Sequence, residues 1–142
     1  MKVKIKVLNN LASLPIYKSE EAAGFDLAAT EDLMIPPGKT AIIGTGLAFE
    51  VPKGYELRIQ SRSGLSSKTK LRVANSPGCI DSDFRGEVGV IMDNIGDTPV
   101  YIKAGDRIAQ GILSQVFRVD FEIVNNLSPS KRGDLGLGST GV

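Results

Sequence analysis

Gly78-Cys79-Ile80-Asp81-Ser82-Asp83-Phe84-Arg85-Gly86, followed by Glu87-Val88-Gly89-Val90-Ile91-Met92, carries both the fold signal and the chemical signal of this chain. The second half alternates: Val88, Val90 and Met92 fall at every other position. Side chains two apart share one face of a strand, so the run reads as a strand with an apolar side. The first half sets two carboxylates, Asp81 and Asp83, two positions apart beside the aromatic Phe84, with a glycine at each end. One carboxylate near a flat ring suits a water held beside a ring-bearing substrate. Asp, Ser and Gly equally suit a plain turn between strands.

The same period of two recurs outward from this stretch. Val3, Ile5 and Val7 alternate with Lys2, Lys4 and Lys6; Leu57 and Ile59 alternate with Glu56, Arg58 and Gln60. Phe117, Val119, Phe121 and Ile123 alternate with Arg118, Asp120 and Glu122. Each is expected to be a strand with one face on a core and the other in water. Thr40–Val51 and Val100–Ile102 read as further strands, and Ser66–Leu71 as the one short helix. Pro36-Pro37-Gly38, Pro52-Lys53-Gly54, Gly96-Asp97-Thr98-Pro99 and Ala104-Gly105-Asp106 supply the turns. Many short strands with Gly/Pro turns predict an all-β sandwich or barrel.

At 142 residues the chain suggests a single domain, long enough to bury roughly 68–70% of its unfolded surface. Its formal net charge of +1 argues against a nucleic-acid face. There is no histidine, which excludes Ser-His-Asp and Cys-His triads and His-ligated metals. Acid–base work then falls to Asp, Glu, Lys, Tyr or Cys. The single cysteine, Cys79, has no His partner and no disulfide partner within the chain. The N-terminus lacks a signal-peptide run and no segment approaches the ~18 apolar residues of a membrane span. The expectation is a soluble, cytoplasmic protein with no membrane and no nucleic-acid partner.

From about Asn125 the chain turns glycine- and serine-rich and cannot pack a core. The expected division is a β domain over 1–124 and a C-terminal arm over 125–142. Within the arm, Gly136-Leu137-Gly138-Ser139-Thr140-Gly141 fits the letters of a dinucleotide fingerprint, but only Val142 follows where a helix should open. Asp81-Ser82-Asp83 begins like a calcium loop, yet Met92 stands where the bidentate Glu belongs. Arg132 and the hydroxyls of Ser139 and Thr140, set among glycines, could wrap an anion.

Five polar clusters remain: AGFDLAA (23–29), SRSGL (61–65), GCIDSDFRG (78–86), GDRIAQ (105–110) and RGDLGLGSTG (132–141). Arg62-Ser63-Gly64 at a strand end can offer a guanidinium, a hydroxyl and an unobstructed N–H to phosphate oxygens. Gln110 adds an amide donor and Arg132 a second cation. Arg107 beside Asp106 reads as a structural ion pair. In this order and spacing the five closely resemble the motifs of the trimeric dUTP diphosphatase (dUTPase) family, over residues 23–141.

The resemblance implies a jelly-roll-like distorted β-barrel, assembled as a homotrimer with sites between subunits. The arm then closes over a neighbour's site. It implies hydrolysis of dUTP to dUMP and pyrophosphate with Mg²⁺, lowering dUTP and supplying dUMP for thymidylate synthesis. Asp81 matches the carboxylate that activates water, while Asp83 shapes the loop. Arg62, Ser63, Gly64, Gln110, Arg132, Gly138, Ser139 and Thr140 match phosphate contacts. Asn75, Gly78, Cys79, Ile80, Phe84, Gly89 and Leu137 match the uracil and deoxyribose pocket. Asp26 matches a first-motif acid that supports the metal through water, with Mg²⁺ held mainly by the substrate's phosphates. The chain departs from the pattern at Phe84 and in the tail, where Leu135-Gly136-Leu137 stands for a usual Gly-Gly-Phe. Phe84 replaces a usual Tyr and keeps the ring. Leu137 replaces a usual Phe, losing a stacking contact worth ~0.5–1.5 kcal/mol, so a looser lid is expected. The related dCTP deaminases need a glutamate where Ile91 stands, which disfavours deamination. A regulatory protein on the same scaffold is the other alternative.

Overall fold

The computed structural model of the chain describes residues 1–136. Ten strands and one short helix follow in the order β1 (Lys4–Val7), β2 (Phe25–Ala28), β3 (Leu33–Ile35), β4 (Thr40–Glu50), β5 (Tyr55–Gln60), α1 (Ser63–Lys68), β6 (Leu71–Val73), β7 (Gly78–Ile80), β8 (Glu87–Asn94), β9 (Val100–Ile102) and β10 (Arg107–Gln115). They form two four-stranded sheets, β1-β4-β8-β6 and β2-β10-β5-β7, and a ribbon, β3-β9. All pairings are antiparallel. The arrangement is jelly-roll-like, but among the described residues the ladders do not close into a barrel.

The predicted alternation places the core. In β8, Val88, Val90 and Met92 are fully buried, and in β5 Leu57 and Ile59 are nearly so. They meet Ile43, Leu47 and Phe49 of β4 and Leu27 of β2 in one cluster. Burying a side chain of this size contributes roughly 1.5–3 kcal/mol.

Strand β4 is long because it serves two partners, and Ala48 pairs with both Glu87 of β8 and Lys6 of β1. Thr40–Gly44 pair with β8 and Leu47–Glu50 with β1, with a register shift between Gly44 and Ala48. Gly46 lies in the shift at φ +66, and a Cβ there would stand 2.7 Å from the Ala12 Cβ, so glycine is required. Thr45 Oγ1 donates to the Val88 carbonyl at 2.7 Å, and Glu87 Oε1 accepts from Gly46 N at 2.8 Å, which satisfies the groups the bulge leaves open. Asn94, buried at the far end of β8, donates to the carbonyls of Ile35 and Thr98 at 3.0 and 2.7 Å and ties the ribbon to the sheet.

Three sequence expectations change. The helix starts at Ser63, not Ser66, and Leu71 opens β6. Thr69 ends it in an extended conformation, its N–H and hydroxyl both donating to the Leu65 carbonyl, while its Oγ1 accepts from Leu71 N. Strand β1 forms as predicted, with Lys4 paired to Glu50 at 2.8 Å, but Ile5 and Val7 are exposed. Phe117–Ile123 does not form a strand, and its apolar side chains stand in solvent, Ile123 at 99% exposure. Alternation marks a chain able to pair, and among the described residues no strand pairs with it. No described helix is long and apolar enough to cross a membrane.

Candidate active site

The strand order β2-β10-β5 brings three of the polar clusters together. Gln110 of β10 lies in register with Asp26 of β2 on one side and Gln60 of β5 on the other. Its Nε2 donates to the Ser61 carbonyl at 3.1 Å, which fixes the turn out of β5. Arg62 follows. Its Nε is 2.8 Å from Asp26 Oδ1, and its Nη1 donates to the Arg107 carbonyl at 2.9 Å. Arg107 Nη1 takes the other Asp26 oxygen at 2.9 Å. Two guanidiniums thus share one carboxylate, and the cluster keeps a net positive charge. Ser63 and Gly64, the first residues of α1, are exposed beside it. The expected ion pair between Arg107 and its sequence neighbour Asp106 is replaced by this one. Asp106 Oδ2 instead accepts from Lys103 N at 2.9 Å across its own turn.

The double pairing of Asp26 bears on the metal. Both oxygens accept from guanidiniums, so neither is directed at a cation in this arrangement. Among the described residues no group of three or more His, Cys, Asp or Glu side chains converges to hold an ion. That donor set fits Mg²⁺ only in its usual manner with nucleotides, where phosphate oxygens and waters supply most ligands.

The third cluster lies along β7 and the loop after it. Asn75 and Gly78 are adjacent: a Cβ on Gly78 would stand 3.1 Å from Asn75 Nδ2. Ser76 Oγ accepts from Ser61 N at 3.4 Å, and Ser61 Oγ accepts from Val73 N at 2.9 Å, so this turn is tied to the segment that carries Arg62. Cys79 and Ile80 project oppositely. Ile80 packs against the core, leaving its backbone for any ligand, while the Cys79 thiol faces out. In the loop, Phe84 N donates to the Asp81 carbonyl at 3.2 Å, and Arg85 Nη1 donates to the carbonyls of Ser82 and Phe84, both at 2.8 Å. The Phe84 ring lies over Gly86, where a Cβ would be 2.6 Å from Cζ. Asp81 and Asp83 are both exposed.

Gly89 lies in β8, opposite Gly44. It lines a cleft of about 470 Å³ with Glu31 and Glu87. Two carboxylates repel a polyphosphate, so this cleft does not suit the phosphate chain. Arg132 is exposed beyond β10. Leu137, Gly138, Ser139 and Thr140 lie outside the described residues.

Asp81 and Arg62 do not meet. Strand β7 pairs with β5 through Leu57↔Ile80 and Arg58↔Cys79, so the next step of the ladder sets Asp81 at the level of Glu56. Arg62 comes two residues after the end of β5, six positions from Glu56, up to about 20 Å away at roughly 3.3 Å per residue of extended chain.

Sequence reasoning passed over Glu56 and Arg58. Cys79 Sγ donates to Glu56 Oε2 at 2.7 Å, and Arg58 Nε lies 2.7 Å from Glu56 Oε1. The thiol, then Arg58, hold Glu56 below the usual carboxylate range. Glu56 in turn pushes the Cys79 thiol up to about 11. In sequence Glu56 is one more outward residue of an alternating strand; only the β5–β7 register joins it to Cys79.

The sequence profile of the dUTPase family matches residues 10–141. The deoxyuridine 5'-triphosphate nucleotidohydrolase of Nautilia profundicola is 49% identical over 99% of both chains. That of Helicobacter hepaticus is 46% identical over all of this chain and 90% of its own. Among solved structures, Staphylococcus bacteriophage 80alpha dUTPase with dUpNHpp superposes with a TM-score of 0.93, at 28% identity over 99% of both chains. With its sheets, its motif order and its full length all matched, the chain belongs to the dUTPase family.

Proposed function

We propose that the protein hydrolyses dUTP to dUMP and pyrophosphate, in sites completed between the subunits of a homotrimer. The observation that carries this reading is the cationic cluster of Arg62, Arg107 and Asp26, with Gln110 beside it and α1 opening at Ser63. Guanidiniums, an amide and free first-turn N–H groups are donors suited to phosphate oxygens. Arg62, Ser63, Gly64 and Gln110 hold the phosphate chain. Asp26 takes the role of fixing both arginines, and touches the metal at most through water. Arg132 with Gly138, Ser139 and Thr140, on the arm of residues 125–142, adds contacts to the terminal phosphates.

Asp81 is the general base. It takes a proton from water as the oxygen adds to the α-phosphorus; the bond to the bridging oxygen breaks and pyrophosphate leaves. Such assistance is worth roughly 10²–10⁴-fold. Bound with the phosphates, Mg²⁺ would supply charge neutralisation along the triphosphate. Phe84 gives the deoxyribose a flat platform over Gly86. Asn75, Gly78, the backbones of Cys79, Ile80 and Gly89, and Leu137 of the arm enclose uracil. The separation between Asp81 and Arg62, up to about 20 Å at roughly 3.3 Å per residue of extended chain, supports a site shared between copies.

The test is pyrophosphate release from dUTP with Mg²⁺, run against the other nucleoside triphosphates. The native protein is expected to prefer dUTP, and D81N to lose roughly 10²–10⁴-fold in kcat. Ammonia from dCTP, or a native rate in D81N, would overturn the reading.

A further inference from the structure

We propose that Glu56 is a positioning residue for the reaction: it holds Arg58 and the Cys79 thiol away from Asp81, so that Asp81 stays free to take a proton. The inference rests on the assignment of Asp81 as the base.

The geometry starts from the strand pair. Leu57 and Ile59 of β5 point into the core, so Glu56 and Arg58 point out. Across the ladder Cys79 lies opposite Arg58, and the next step sets Asp81 opposite Glu56. Four polar side chains therefore share one outward patch: two carboxylates, one guanidinium and one thiol. Diagonal neighbours across a strand pair are about 7–8 Å apart, within reach of long side chains. Arg58 has a diagonal route to Asp81 and a shorter one along its own strand to Glu56.

Both donors are found on Glu56. Arg58 Nε lies 2.7 Å from Oε1 and Cys79 Sγ 2.7 Å from Oε2. The sulfur also lies 3.8 Å from Asp81 Oδ1, the longer of its two contacts. A thiol has one proton, so donating it to Glu56 leaves the Asp81 oxygens open. The Glu56 side chain is only 12% exposed and has both oxygens engaged, so it does not serve as a second base. Its carboxylate is held charged by these same partners. Without that charge, Arg58 loses its partner while the nearest other carboxylate on the patch is Asp81. An Asp81–Arg58 pair would occupy the oxygen that must accept the water's proton and make it a poorer base.

The experiment is steady-state kinetics on dUTP with Mg²⁺ for the native protein, E56Q, R58Q, E56Q/R58Q and D81N. E56Q is expected to lose about tenfold in kcat with KM within about twofold, the signature of a group needed only in the chemical step. R58Q and the double variant are expected within about twofold of native kcat, because Arg58 is the charged competitor and the neutral thiol that remains is too weak a donor to block Asp81. A merely structural role for Glu56 predicts no such rescue. Glu56→Ala, alone and with Arg58→Gln, repeats the comparison so that a misfolded E56Q does not decide it. A native kcat in E56Q, or a double variant as slow as E56Q, overturns the inference while an inactive D81N leaves the base assignment standing. A native rate in D81N overturns both.

Discussion

Arg62 and Asp26 form a 2.8 Å ion pair although their strands are not neighbours: β10 runs between β2 and β5. The pair spans the intervening strand, and Arg107 of that strand closes the triangle on the second carboxylate oxygen. One carboxylate therefore orients a guanidinium at the mouth of the sheet and ties three strands at the same level. Its side chain is 15% exposed, so most of its solvent has been replaced by these two partners.

Removing that carboxylate is expected to affect binding and stability together. Asp26→Asn leaves two guanidiniums facing each other without a counter-charge, and should cost about 1–3 kcal/mol of stability. Arg62 also loses its fixed direction, so KM for dUTP should rise while kcat changes less. Thermal melting and steady-state kinetics check this. An unchanged melting temperature with an unchanged KM would refute the anchoring role.

Gly86 gives the Phe84 ring its seat. A methyl group there would stand 2.6 Å from Cζ, so Gly86→Ala must displace the ring or the loop. The expected result is a several-fold higher KM for dUTP, with the melting temperature lowered by a few degrees at most, since the loop is exposed. Isothermal titration with a non-hydrolysable dUTP analogue reads the binding change directly. Native affinity in Gly86→Ala would mean the ring position is unimportant.

The thiol of Cys79 is exposed yet should react slowly. Donation to Glu56 pushes it up to about 11, above the value of an unfolded chain. The stabilisation it brings is complete below about pH 8.5 and drains away as pH rises through the folded value near 11. Glu56 is shifted the opposite way, so its share is present above the ordinary carboxylate range and is lost as pH falls through its depressed folded value. At pH 8 the thiolate is scarce, and alkylation by iodoacetamide should run about two orders of magnitude slower than for a free cysteine. E56Q should speed it. A native protein that alkylates like free cysteine would contradict the hydrogen bond.

The distance between Asp81 and Arg62 leads to a complementation experiment. On the proposed roles D81N would keep the phosphate clamp and R62A the base, so each should be nearly inactive alone. Subunits unfolded together, mixed equally and refolded should regain about a quarter of native activity, the share of sites that draw an intact residue from each parent. No recovery from the mixture would place both residues in the site of one chain.

The alternating strands were legible because burial on one face imposes a period of two. Leu57, Ile59, Val88, Val90 and Met92 follow from it. The same rule misled at Phe117–Ile123, because a pattern records the capacity to pair and not where the partner is. At the site, the five clusters were visible in order, but their partnerships were not. Asp106 and Arg107 are adjacent in sequence, yet the ladder gives Arg107 to Asp26, which is 81 positions away. Glu56 and Cys79 are 23 apart, and only the register of a three-residue strand brings them into contact.

The exposed segment after β10 has a consequence for how the chain survives in solution. Its apolar side chains would make it adhesive to copies of itself, in the manner of a segment that stacks into fibrils. Arg118, Asp120 and Glu122 stand between Phe117, Val119, Phe121 and Ile123 at every second position. Identical ribbons stacked in register would bring like charges together at each step, while an antiparallel pairing with a different strand carries no such penalty. The alternation thus acts as a gatekeeper, tolerating a dissimilar neighbour and discouraging an endless column of the same one.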